Sequence, residues 1–128
     1  MEISISVSED KKYIFITTKG EIPSGNPTVL MQPLIEAHEL AMKLGIRNIL
    51  VDVTQARNSL GVFGSYDIVN NKISQEPAVD RYIRVALLVS PDDHSHDFTE
   101  IVARNAGFNF TLYRDRAQAL ASLTQDES

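Results

Sequence analysis

The most constraining stretch of this chain is 48–61, which reads Asn-Ile-Leu-Val-Asp-Val-Thr-Gln-Ala-Arg-Asn-Ser-Leu-Gly. Ile49 to Val53 is a β-branched, apolar run of the length expected for a buried parallel strand. The following polar loop places Asn58, Ser59 and Gly61 just before a new helical pattern. A buried strand that ends in a Ser/Gly loop at a helix N-terminus is where α/β proteins often keep their chemistry.

The flanking sequence supplies the other elements. Ile3, Ile5 and Val7 alternate with serines, a period of two that predicts a half-buried edge strand. The charged turn Glu9 to Lys12 and a second strand from Tyr13 to Thr18 make this an antiparallel hairpin. Gly20 to Pro27 reads as a loop. Leu30, Leu34, Ala37, Ala41 and Leu44 then recur at helical spacing, with Pro33 in the first turn and Gly45-Ile46 as the stop.

After the central strand, Val62, Tyr66, Val69 and Ile73 predict a second helix, broken around Pro77. Val85 to Val89 is apolar on both faces, hence another central strand. A third helix carries Phe98, Ile101, Val102 and Ala106 inward and stops at Gly107-Phe108. Asp97 and Glu100 have capping-box spacing at its start, with Asp93 and Ser95 as alternative caps. Phe110 to Tyr113 is the last strand, and Asp115 opens a final helix bearing Ala119, Leu120 and Leu123. The order β-β-α-β-α-β-α-β-α predicts an α/β fold. Its five-stranded sheet is mainly parallel, with an N-terminal antiparallel hairpin.

At 128 residues, and without a linker, the chain reads as one domain over 1–124 with a polar tail, 125–128. The net charge of −5 argues against a nucleic-acid or anionic-lipid surface. Absence of cysteine excludes disulfides and thiolate metal sites. The N-terminus lacks the pattern of a signal peptide, and no apolar run reaches the ~20 residues that span a bilayer. The expectation is a cytoplasmic protein without an integral membrane segment.

In a parallel sheet the loops after the strand C-termini gather at one edge. Lys19 to Asn26, Thr54 to Gly61, Ser90 to Asp97 and Arg114-Asp115 should therefore line one rim. The candidate ligand residues there are Asp52, Arg57, Asp93, His94, His96 and Arg114. Asn58, Ser59 and Gly61 form a candidate phospho-switch or anion loop, because a helix N-terminus favours negative charge. The same residues also serve as an ordinary helix cap. Asp52 suits a general base or cation ligand, and equally a carboxylate that holds a neighbouring loop. Asp92 to Asp97 offers two imidazoles and three carboxylates to a metal. However, His94 and His96 lie two residues apart and diverge if a helix has begun, so no metal is assigned. His38 lies at the border of the first helix's apolar stripe and reads as a packed histidine. No phosphate-loop, dinucleotide or nucleophile-elbow motif occurs, and no cofactor follows.

With these residues laid out, the chain resembles the SpoIIAA-like group of the STAS superfamily, a bacterial regulatory group related in fold to CRAL-TRIO lipid-binding domains. The resemblance covers nearly the whole chain. It rests on Ile49 to Thr54, Arg84 to Ser90, Asp97 to Phe108 and Leu112 to Leu120. In the family's anti-sigma-factor antagonists a serine in an Asp-Ser-(Ser/Thr)-Gly loop is phosphorylated. Asn58-Ser59-Leu60-Gly61 keeps the serine and glycine and lacks the aspartate and the second hydroxyl. The resemblance implies a non-enzymatic regulatory module acting through a protein partner or small ligand at the rim. The CRAL-TRIO side implies an alternative, a binder of an apolar ligand lined by Phe63 and Tyr66. A third expectation from the residues is a metal-assisted hydrolase using Asp92 to Asp97. A homodimer through the Ile3-Ile5-Val7 hairpin edge completes the expectations.

Overall fold

The serine–isoleucine alternation at the N-terminus becomes β1 (Glu2–Val7), whose apolar residues turn toward the core and whose serines stay exposed. The computed structural model describes residues 2–22, 31–58, 69–70, 75 and 82–124. Within them the remaining strands are β2 (Ile14–Ile22), β3 (Asn48–Asn58), β4 (Arg84–Leu88) and β5 (Asn109–Tyr113). All join one sheet in the order β1-β2-β3-β4-β5. β1 pairs antiparallel with β2, and every later pairing is parallel. This is the predicted architecture.

The described helices are α1 (Met31–Leu44), α2 (Asp97–Asn105) and α3 (Arg116–Thr124). Pro33 sits in the first turn of α1, where its missing N–H costs nothing. Gly45, at φ +70°, ends α1, and the Ile46 amide folds back to the Ala41 carbonyl at 2.8 Å. Of the four residues predicted to mark a helix after Gly61, Val69 alone is described, and it is buried.

Strand alternation divides the core into two layers. Ile14, Ile16 and Ile49 pack with Ala37 and Ala41 of α1 on one face, where Ile3, Ile5, Val7, Val51 and Val85 join them. Leu50, Ala86 and Leu88 pack with Ala119 and Leu123 of α3 on the other. The inner strands β3 and β4 are apolar on both faces because both are covered. Among the described residues no helix is long and apolar enough to cross a membrane.

Two segments predicted as rim loops are strand instead. Lys19 to Ile22 extends β2 and Thr54 to Asn58 extends β3, pairing Lys19 with Gln55, Gly20 with Ala56, Glu21 with Arg57 and Ile22 with Asn58. Each segment supplies the other's backbone partners, so the polar composition of 54–58 does not prevent pairing. The extension begins after a bulge. Thr17 faces Asp52 but Lys19 faces Gln55, which gives β3 one extra residue. The bulge shifts the alternation, so Val53 and Ala56 are buried in the same cluster with Leu87 and Val89.

Candidate functional site

Asp52 sits where β3 changes register. Its Oδ1 accepts from the Thr54 amide at 2.9 Å and from the Thr54 hydroxyl at 2.6 Å. These bonds stand in for sheet partners at the bulge. Its Oδ2 accepts from Arg116 at 2.5 Å. Burial opposes ionisation of Asp52, but the Thr54 and Arg116 donors outweigh it and hold its carboxyl below the usual range. Position 52 alternates with Val51 and Val53, so its side chain points to the α3 face. Asp52 shapes the strand from behind the rim.

Pairing between β3 and β4 stops at Asp52 and Leu88, so the β3 extension has no strand beside it on that flank among the described residues. Side chains from the turn between β4 and α2 take over. The Ser90 hydroxyl donates to the Thr54 carbonyl at 2.8 Å. His96 is 2 % exposed, which makes it a buried group rather than a rim-lining one. Burial pushes its imidazole below the ordinary value, against Asp93, the Ala56 carbonyl and Asp97, which favour the protonated form. Its Nε2 lies 3.5 Å from Asp93 Oδ2 and has no hydrogen-bond partner among the described residues.

Asp93 holds the turn itself, with Oδ1 accepting from the Ser95 amide at 2.9 Å. Its burial opposes charge, yet the Ser95 donors, His96 and Arg57 together lower its carboxyl. Arg57, exposed on the β3 extension, thus reaches the turn electrostatically.

Arg114, just past β5, closes the outer part of the cluster. Its guanidinium donates to Asp97 Oδ1 at 2.7 Å and to the Asp93 carbonyl at 3.3 Å. His94 Nδ1 lies 2.9 Å from Asp97 Oδ2 and 3.0 Å from the Arg114 NH2 group. Aspartate only accepts and arginine only donates, so His94 bonds Asp97 when Nδ1 carries a proton and Arg114 when it does not. The His94 bond and Arg114 together lower the Asp97 carboxyl. Arg114 Nε is buried and without a partner among the described residues.

The predicted rim residues Arg57, Asp93, His94, His96 and Arg114 therefore gather at the C-terminal ends of β3, β4 and β5. His94 and His96 diverge, one side chain 70 % exposed and the other 3 %, although α2 begins only after both, at Asp97. Among the described residues no three carboxylate or imidazole donors converge as metal ligands. Arg114 occupies the Asp97 carboxylate instead. Asn58 is described as the last residue of β3; Ser59, Gly61, Phe63 and Tyr66 lie outside the described residues, as does any contact they make.

The capping box at Asp97 and Glu100 does not form. His96 takes the N-cap position of α2 without a side-chain bond. Glu100 turns to the sheet, where its Oε2 accepts from the Leu112 amide of β5 at 2.5 Å. An edge-strand amide outcompetes the helix terminus for this carboxylate. The contributions of Ser90, Thr54 and Arg116 were also invisible in sequence.

No protein-family model matches this chain. No curated protein matches it either. Among solved structures it is similar to an uncharacterised protein of the DUF3478 family with a SpoIIAA-like fold, from Shewanella loihica PV-4. The identity is 21 %, the TM-score 0.50, and the match covers 95 % of this chain and 92 % of that one. The fold of this chain is SpoIIAA-like.

Proposed function

We propose that this chain is a non-catalytic interaction module that engages a protein partner or small ligand through the rim at the ends of β3, β4 and β5. The observation that carries this reading is the arrangement around Arg114. One guanidinium ties together Asp97, His94 and the Asp93 carbonyl from the β4–α2 turn. Ser90 and His96 in turn fasten that turn to the β3 extension at Thr54 and Ala56. The outcome is a preorganised charged surface, which lowers the ordering cost of binding. Ser59 follows β3 directly in sequence, and a phosphate on it would add roughly two negative charges to the chain.

Native mass spectrometry of the protein purified from an extract of its own cells tests the proposal. The expected result is a bound polypeptide or polar ligand that Arg114→Ala loses. A co-purifying apolar molecule, retained by Arg114→Ala, would replace this reading with the CRAL-TRIO-like carrier.

A further inference from the structure

Among the described residues, the two edges of the sheet are treated differently. At β5, Glu100 of α2 accepts the Leu112 amide and so takes up one of that edge's outward donors. At β1 the described residues provide no such cover, and β1 pairs only with β2.

The direction of β1's backbone groups follows from the hairpin. Ser8 N–H donates to the Tyr13 carbonyl at 3.0 Å, in register with the pairs from Val7–Ile14 back to Glu2–Lys19. Hydrogen-bonded and non-bonded pairs alternate along an antiparallel ladder. The even-numbered residues of β1 therefore bond to β2, while Ile3, Ile5 and Val7 present their N–H and C=O groups outward. The side chains of these three are packed on the α1-face core but only partly buried.

We propose that the outer edge of β1 is a dimer interface between two copies of this chain, antiparallel about a two-fold axis at Ile5. In that register Ile5 meets Ile5, and Ile3 meets Val7 of the other copy. Each pair uses outward-facing backbone groups and closes two hydrogen bonds. Registers of the same parity that are centred elsewhere match fewer outward residues. Faces also agree: apolar residues meet apolar residues on the α1 side, and Ser4 meets Ser6 on the exposed side. Glu2, the only charged residue of β1, falls opposite Ser8, far from its own counterpart. A second copy thus pairs apolar residues with apolar residues and continues the apolar row that one copy leaves half-open. This interface lies away from the proposed rim and is independent of that reading.

Sedimentation velocity over about 1–100 µM and native mass spectrometry test it. The wild-type chain should dimerise. Ser4→Lys with Ser6→Lys alters only exposed positions and sets like charges opposite each other. It should raise the dissociation constant at least about tenfold. Ser4→Glu with Ser6→Glu should do the same, and mixing the two double variants should restore a heterodimer. That restoration shows both variants are folded and that the exposed faces of the two β1 strands meet. A monomeric wild type, a lysine double variant that dimerises as tightly as wild type, or a mixture with no heterodimer would each overturn the proposal.

Discussion

Asp52 on β3 and Arg116 at the start of α3 are 64 residues apart in sequence and meet at 2.5 Å. The contact joins the sheet to the helix that covers its second face, at the point where β3 acquires its extra residue. Arg116 is half exposed, so water screens much of the ion pair. The bond from the Thr54 amide is the less replaceable part of the arrangement.

Asp52→Ala should therefore destabilise the fold by about 1 kcal/mol, the cost of leaving the part-buried Thr54 donors unpaired. Asp52→Asn should cost less, since its amide oxygen still accepts from Thr54. Urea unfolding of the two variants checks the order. Equal losses would mean that the charge, not the acceptor, maintains the bulge.

The pH dependence has two sources with the same sign. Asp52, Asp93 and Asp97 have lowered carboxyls in the folded state, so their stabilisation is present above the unfolded value near 3.8 and lost as pH falls further. His96 is also lowered from 6.5. Its unfolded form takes up protons first, so stability should begin to fall as pH drops below about 6.5. Unfolding free energies between pH 5 and 8 should slope upward with pH in wild type, and less so in His96→Gln. An unchanged slope in that variant would remove His96 from the account.

Glu100→Ala should expose the Leu112 amide with a stability loss of about 1 kcal/mol. Hydrogen exchange at Leu112 should quicken while the Leu50 amide in the sheet centre stays protected. No change at Leu112 would contradict the bond.

Gly45→Ala probes the stop of α1. A Cβ at position 45 would touch nothing within 4 Å, so the penalty comes from φ +70° alone. A loss of about 1 kcal/mol in thermal unfolding is expected.

The sheet was legible in the sequence because its signals are local. The serine alternation of β1, the apolar runs of β3 and β4 and the Gly45-Ile46 stop each point to one element. The extensions of β2 and β3 were not, because Thr54 to Asn58 is polar and pairs only through a partner distant in sequence. The same bulge hides Asp52: alternation with Val51 and Val53 gives its face, but nothing local reveals Arg116. The sequence expected His94 and His96 to diverge only if a helix had begun, yet they diverge in the turn ahead of α2. That His96 is the buried one depends on the Ala56 and Asp93 groups around it. Glu100 reads as a cap until β5 is placed beside it.

The proposed rim is tested most directly by parallel affinity capture from extracts of the native cells, using wild type and Arg114→Ala at matched concentrations. Arg114 makes partly exposed contacts, so its removal should cost no more than about 1 kcal/mol and leave the unfolding midpoint nearly unchanged. The account predicts that a specific bound species is retained by wild type and lost from the folded variant. The same bound species, in the same amounts, on both proteins would contradict it.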